Sequence, residues 1–144
     1  MPDGEHPRLR VGGFEPLTTL EWPGRLSAVV FLQGCPWKCR YCHNAELTPL
    51  TAPGMTPWPA VLRELEARRG FIDAVIFSGG EPTAQSELPA ALREAGAMGF
   101  AVALHHPVEQ LRNLFVALEL LLREHHAGEV GRRHHLFRPS GQSR

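Results

Sequence analysis

The segment GCPWKCRYCHN, residues 34–44, holds every cysteine of the chain, in the spacing C-x3-C-x2-C. A disulfide uses two thiols and a closed tetrahedral zinc site uses four ligands, so three cysteines complete neither arrangement. Thiolates are soft ligands that suit iron–sulfur clusters, zinc and copper(I). Three of them on a short loop can hold three irons of a [4Fe-4S] cluster and leave the fourth iron open. We therefore interpret Cys35, Cys39 and Cys42 as metal ligands.

Two other interpretations of the three cysteines stay open. A zinc site could be completed by His43 or by a more distant histidine, although His43 adjoins Cys42 and its side chain would have to turn sharply. Inert buried thiols are the second alternative, and a loop that carries Pro36, Lys38 and Arg40 is a poor place to bury them. An electron-transfer ferredoxin would supply a fourth cysteine, which this chain does not have.

The composition is that of an ordinary globular protein. Of 144 residues, 43% are hydrophobic and 21% are charged, and the formal net charge is zero with histidine neutral. This balance points to no nucleic-acid or membrane partner. The N-terminal residues contain no apolar signal-peptide core, and no apolar run reaches the ~20 residues of a membrane span. We expect a cytoplasmic protein, in a compartment where clustered cysteines more often bind metal than form disulfides.

The segments around the cysteines predict alternating strands and helices. Mostly apolar runs fit buried strands at residues 26–33, 73–80 and 100–105. One helix is predicted from Thr56, as its N-cap, to Gly70, and a second from Ser86, as its N-cap, to about Ala97. This alternation implies crossover connections and a parallel sheet, in which ligands bind at the carboxyl ends of the strands.

The turn SGGEP, residues 78–82, leaves the second predicted strand as the cysteine segment leaves the first. Because both follow the carboxyl ends of parallel strands, we expect them at the same edge of the sheet. Taken alone, SGGEP fits a plain tight turn, since glycine and proline are common in turns. Its predicted position beside the cysteines favours a role in ligand binding.

The sequence CPWKCRYC, residues 35–42, resembles the signature of the radical S-adenosylmethionine (radical SAM) enzymes, and SGGEP resembles the SAM-binding turn of that superfamily. Residues 11–104 are similar to the activating proteins of anaerobic ribonucleoside-triphosphate reductase, a group of glycyl-radical-enzyme activases. The resemblance implies an α/β fold, a partial (β/α) barrel of radical SAM type. In this chain the barrel is expected to be truncated to about three βα units, followed by a C-terminal helix and a tail.

The resemblance also implies the cofactors and the residues that bind them. A [4Fe-4S] cluster is held by the three cysteines, and SAM binds the open iron. Gly79 and Gly80 let the backbone approach the methionine part of SAM, and Glu81 accepts a hydrogen bond from its ammonium group. Tyr41 resembles the aromatic residue that packs near the adenine, and shielding of the cluster is its other interpretation. No catalytic side chain is implied, because the chemistry belongs to the cofactors.

The implied function is that of an anaerobic oxidoreductase. One electron cleaves the S–C5′ bond of SAM, and the 5′-deoxyadenosyl radical removes a hydrogen atom from a glycine of a partner protein. The implied partner is a glycyl radical enzyme, the anaerobic ribonucleotide reductase, and the electron donor is a reductant such as flavodoxin or ferredoxin. One alternative is a radical SAM enzyme that acts on a small molecule or a nucleobase. The other is a non-catalytic, truncated fragment that binds an iron–sulfur cluster or zinc.

Three parts are predicted along the chain: a flexible N-terminal segment (residues 1–13), the partial radical SAM core (residues 14–106), and a helix with a disordered basic tail (residues 107–144). Six of the eight histidines fall at residue 105 or later, all in adjacent pairs. His105 and Glu109 are four residues apart, as metal ligands on a helix can be. Adjacent histidines point to different faces, however, and no complete set of ligands has the required spacing, which disfavours a metal site there. A frameshift or truncated gene near residue 105 would explain the changed composition, and a naturally compact activase is the alternative.

Overall fold

Apolar runs rich in β-branched residues form the centre of a five-stranded sheet. The computed structural model describes residues 8–105 of the chain. Its strands and helices are, in chain order, β1 (Arg10–Thr18), β2 (Ser27–Leu32), β3 (Thr56–Pro57), α1 (Trp58–Glu66), β4 (Ala74–Gly79), α2 (Leu88–Ala97) and β5 (Ala101–Leu104). The order across the sheet is β3-β1-β2-β4-β5. β2, β4 and β5 run parallel, and β1 runs antiparallel to both of its neighbours.

The parallel half of the sheet confirms the three predicted strands, each to within one residue at either end. The two helices connect these strands, and both pack on the same face of the sheet. There the helix residues Val61, Leu65 and Ala91 share one buried cluster with Val30 and Phe77 of the strands. The described residues therefore form an open part of a (β/α) barrel, as predicted.

The opposite face of the sheet is apolar as well. Val29, Ile76 and Ala103 are buried there, with Trp22 and Phe31 packed against them. Because successive residues of a strand point to opposite faces, a strand that is covered on both faces is apolar at every position. This is why β2 and β4 are continuous apolar runs, which made them recognisable in the sequence.

β1 was not among the predicted strands, and it overlaps the segment expected to be flexible. It is nine residues long and lies between β3 and β2, and its Val11 is fully buried. Two glycines and a proline lower its intrinsic strand propensity. Long-range pairing compensates, since Phe14 lies opposite Val30 of β2. The predicted boundary between residues 13 and 14 thus falls inside a strand.

The predicted start of the first helix is wrong. Thr56 does not cap α1, because Thr56 and Pro57 form β3 and pair with β1. α1 starts at Trp58 without a side-chain cap and ends at Glu66. Gly70, the predicted end, adopts a positive φ of 80° in the connection that follows α1. Pairing with β1 overrides the capping preference of threonine.

The predicted N-cap of the second helix is also wrong. Ser86 lies in a turn, and α2 begins at Leu88 with Glu87 in the cap position and no side-chain cap hydrogen bond. Pro89 falls in the first turn of α2, as predicted, where its missing N–H has no helical partner to lose.

The predicted third helix and tail, residues 107–144, lie outside the described residues, as do residues 1–7. Within the described part of the chain, none of the helices is both long enough and apolar enough to cross a membrane.

Ser27 provides a test of the buried part of β2. Its side chain is fully buried, and its hydroxyl oxygen has no hydrogen-bond partner among the described residues. A buried polar group without a partner costs about 1–3 kcal/mol. We therefore expect Ser27→Ala to raise the free energy of unfolding by about 1 kcal/mol in urea denaturation.

Ser86→Ala is the matched control, because Ser86 is exposed and caps neither helix. Its free energy of unfolding should stay within about 0.5 kcal/mol of the wild type. A loss of stability in Ser27→Ala would contradict the prediction, since it would mean that the hydroxyl makes a favourable hydrogen bond.

Candidate functional site

Two turns meet at the carboxyl edge of the parallel strands. The cysteine loop (residues 34–44) leaves β2, and the SGGEP turn (residues 78–82) ends β4. The carbonyl oxygen of Gly34 accepts a hydrogen bond from the N–H of Glu81, with a nitrogen–oxygen distance of 2.9 Å. The predicted meeting of the two turns at one edge of the sheet is therefore confirmed.

Glycines at positions 79 and 80 permit this close contact. A Cβ atom at Gly80 would overlap the carbonyl oxygen of Gly34, and one at Gly79 would overlap the backbone of Leu32. Gly79 also has a φ of 111°, a conformation that side chains disfavour. The structure thus gives both glycines a part in packing the two turns together. Their predicted role in the approach of SAM stays a prediction.

The cysteine loop is closed at its base by backbone hydrogen bonds. The N–H of Gly34 donates to the carbonyl of Leu47 at 2.7 Å, and the N–H of Cys35 donates to the carbonyl of Thr48 at 3.1 Å. A short 3₁₀ helix, Ala45–Leu47, forms the returning side of the base. These hydrogen bonds join the two ends of the loop, and the cysteines lie on the loop between them.

Two buried glutamines support the base of the loop. The amide oxygen of Gln85 accepts from the N–H of Arg10 at 2.8 Å, and its amide nitrogen donates to the carbonyl of Gln33 at 3.1 Å. The side chain of Gln33 donates in turn to the carbonyl of Pro49 at 3.2 Å. Both glutamines are at most 5% exposed. Neither was predicted as a site residue. The one available signal concerned Gln33, which is a polar residue at the end of an apolar run.

All three cysteines line one open depression of about 500 Å³ next to the base of the loop. None of them is in a disulfide; Cys35 is half-buried, and Cys39 and Cys42 are exposed. Within the described part of the chain, no three His, Cys, Asp or Glu side chains gather around a single metal-ion position. A [4Fe-4S] cluster distributes its thiolates over separate irons, so three soft donors around one open depression fit that group by their chemistry.

Glu81 is buried between the two turns, with 2% of its surface exposed. One carboxylate oxygen accepts from the N–H of Thr83 at 3.0 Å and from its hydroxyl at 2.6 Å. The other accepts from the indole N–H of Trp37 in the cysteine loop at 3.0 Å. Glu81 therefore connects the SGGEP turn to the cysteine loop, a role that was not predicted. The predicted hydrogen bond that the carboxylate of Glu81 accepts from the ammonium group of SAM stays a prediction.

Tyr41 lies on the outside of the cysteine loop. Its side chain is 88% exposed, and it is not among the described residues that line the depression. Trp37 does line the depression and is 46% exposed. The predicted roles of Tyr41, packing near adenine or shielding a cluster, thus concern contacts with a bound group and stay predictions.

Comparison with known proteins gives a consistent family. A protein-family model described as the Radical SAM superfamily matches residues 29–128. A protein of Methanocaldococcus jannaschii named "Putative glycyl-radical enzyme activating enzyme" is 38% identical over 95 residues, which cover 65% of this chain and 38% of that protein.

Two further relatives carry more specific names. The pyruvate formate-lyase-activating enzyme of Clostridium pasteurianum is 32% identical over 82 residues, which cover 54% of this chain and 34% of that enzyme. The pyruvate formate-lyase 1-activating enzyme of Escherichia coli K12 is also 32% identical over 82 residues, covering 54% of this chain and 33% of that enzyme. The matches to these three relatives thus span between 33% and 38% of their lengths.

Gly80→Ala tests the contact between the two turns. The added methyl group would push the carbonyl of Gly34 away and displace the cysteine loop. We expect a loss of about 1–3 kcal/mol in the free energy of unfolding, as for other overpacked sites. Anaerobic loading with iron and sulfide should also give less bound iron per chain than in the wild type.

Gly13→Ala is the control for this substitution. A Cβ atom at Gly13 would lie 3.6 Å from the ring of Phe31, which is ordinary van der Waals contact. Its stability and iron content should match those of the wild type. Equal behaviour of Gly80→Ala and Gly13→Ala in both measurements would contradict the proposed packing of the turns.

Proposed function

The chain belongs to the radical SAM superfamily, and we propose that it activates a glycyl radical enzyme by reductive cleavage of SAM. The main observation behind this proposal is that three free cysteines line one depression. The loop that holds these cysteines is joined to the SGGEP turn by a backbone hydrogen bond. The names of the related proteins support the activase group. The chain matches only a minor part of each of these relatives, so the complete activity of an activating enzyme is proposed for this chain as a whole.

The three cysteines would hold the cluster. Cys35 is next to the base of the loop, and Cys39 and Cys42 extend from it into solvent. In the thiolate form each would bind one iron of a [4Fe-4S] cluster, which leaves one iron for SAM. When bound, the cluster would supply the electron for reductive cleavage of the S–C5′ bond of SAM, the chemistry that would lead to removal of a hydrogen atom from a glycine of the partner protein.

The chain's own residues bind and orient. The SGGEP turn would bind the methionine part of SAM with the backbone at Gly79 and Gly80, and with the carboxylate of Glu81. Tyr41, which is exposed on the loop, would become covered when adenine or the partner protein packs against it. No acid or base among the side chains is required, because the cofactors would supply the chemistry.

The proposed target is the anaerobic ribonucleoside-triphosphate reductase, with flavodoxin or ferredoxin as the electron donor and the cytoplasm as the location. Support for this target comes from the similarity of residues 11–104 to the activating proteins of that reductase. Pyruvate formate-lyase is the competing target, because two of the related proteins are named as its activating enzymes. Co-expression of the chain with each candidate separates them, since a glycyl radical signal appears only with the true target.

A non-catalytic cluster-binding fragment is the second candidate function. Three parallel strands are present in the described part of the chain, whereas a complete (β/α) barrel has eight. A partial barrel offers fewer strand ends with which to surround adenine and ribose. In this case the chain would bind a cluster without cleaving SAM.

Anaerobic reconstitution of the full chain tests the proposal. We expect a [4Fe-4S] electron paramagnetic resonance signal after reduction, a shift of this signal when SAM is added, and formation of 5′-deoxyadenosine. A cluster signal that SAM does not change would contradict the activase proposal and support the non-catalytic fragment. A colourless protein that contains zinc would also contradict the activase proposal, and it would support a non-catalytic fragment that binds zinc.

Matched variants sharpen this test. Cys39→Ser removes one thiolate and should lower the iron content and abolish the shift with SAM. His43→Ala is the control, because His43 is a ligand only in the alternative zinc site. Loss of metal from His43→Ala would contradict the assignment of the three cysteines as the complete set of protein ligands.

A further inference from the structure

Trp37 connects the middle of the cysteine loop to a buried carboxylate, and we infer that it is a positioning residue for the cysteine ligands. Its indole N–H donates to Glu81 at 3.0 Å. Trp37 stands two residues after Cys35 and two residues before Cys39. One hydrogen bond at this point therefore constrains the path of the chain between two of the proposed ligands. The inference rests on the proposed cluster, and its test includes a measurement on the metal-free protein.

The acceptor of this hydrogen bond is held in place. Glu81 is 2% exposed, and its carboxylate also accepts from the N–H and the hydroxyl of Thr83. Its own N–H donates to the carbonyl of Gly34 at 2.9 Å. The carboxylate is thus fixed relative to the base of the cysteine loop, and hydrogen bonds to an ionised acceptor are stronger than neutral ones.

Few other hydrogen bonds connect the cysteine loop to the rest of the described residues. Backbone hydrogen bonds close it at Gly34 and Cys35. Among the hydrogen bonds of residues 8–105, none from the backbone of residues 36–43 reaches the sheet. The indole of Trp37 is 46% exposed, so packing alone holds it less firmly than a core residue. The hydrogen bond to Glu81 therefore has a large share in fixing the middle of the loop.

A second tryptophan in the chain provides a matched control. The indole N–H of Trp58 donates to the carboxylate of Glu94 at 2.6 Å and links α1 to α2. Trp58 is 1% exposed and lies in the core, where its ring contacts that of Phe77. Trp58→Phe removes the same kind of hydrogen bond, but far along the chain from the cysteines.

Trypsin cleavage of the metal-free full chain measures the mobility of the loop. Lys38 and Arg40 are cleavage sites inside the loop, and Arg69 is a reference site outside it. Loss of one charge-assisted hydrogen bond should make cleavage at the two loop sites about tenfold faster in Trp37→Phe than in the wild type. Cleavage at Arg69 should be unchanged. Equal cleavage of the loop in both proteins would overturn the inference.

Release of iron to a chelator measures the same effect on the reconstituted chain. Trp37→Phe should lose its visible cluster absorption about tenfold faster than the wild type, with a nearly unchanged midpoint of urea unfolding. Trp58→Phe should unfold at lower urea, because it leaves a gap in the core, and should release iron at the wild-type rate. If both variants release iron equally fast, the role of Trp37 is general stability and the inference fails.

Glu81→Gln provides a second approach to the same hydrogen bond. It should speed cleavage at Lys38 and Arg40, and the double variant with Trp37→Phe should be cleaved no faster than the single variants. Additive effects would overturn the inference. Failure of the inference and failure of the proposed function can be told apart. A wild-type chain that takes up no cluster refutes the proposed function, whereas equal trypsin cleavage of the loop in Trp37→Phe and the wild type refutes the role of Trp37.

Discussion

The hydrogen bond between the Gly34 carbonyl and the Glu81 N–H holds the candidate site together. It joins the loop that leaves β2 to the turn that ends β4, just beyond the last paired residues of those strands, Leu32 and Gly79. A shift of one residue in this register would reverse the faces of every side chain in one strand. The turns would then no longer meet, because the two glycines that permit their contact would be displaced.

The register depends in turn on burial of apolar side chains on both faces of the sheet. Helix residues cover one side of β2 and β4, and Val29 and Ile76 are buried on the other. The polar groups at the carboxyl edge are satisfied locally, by Gln33, Gln85 and the neighbouring backbone. The site therefore consists of an edge of the sheet with buried hydrogen bonds and a more exposed loop that carries the cysteines. A family whose chemistry is supplied by cofactors requires this combination, since the protein must hold its ligands without closing the open side.

Local sequence patterns were sufficient to predict some of the strands of this fold. β2, β4 and β5 were predictable because strands covered on both faces are continuous apolar runs. β1 was not predictable, because its glycines and its proline lower the strand propensity of the segment. Pairing with β2 stabilises this strand. The start of α1 was wrong for a similar reason, since pairing with β1 places Thr56 in β3. Local propensity cannot reveal such long-range pairing.

The same division applies to the candidate site. The motif spacing identified the cysteines and the SGGEP turn, and the strand pattern correctly placed both at one edge of the sheet. The hydrogen bond from Trp37 to Glu81 joins residues that are 44 positions apart, and no local pattern indicates it. The buried glutamines are likewise ordinary polar residues until the fold surrounds them.

The proposed function depends on three cysteines that bind a [4Fe-4S] cluster and leave one of its irons open. Mössbauer spectroscopy of the full chain reconstituted with ⁵⁷Fe tests it most directly, because the method distinguishes irons by their ligands. We expect SAM to change the parameters of about a quarter of the iron in a [4Fe-4S] cluster and to leave the rest unaltered. A spectrum in which SAM changes none of the iron, or one that shows no [4Fe-4S] cluster, would contradict it.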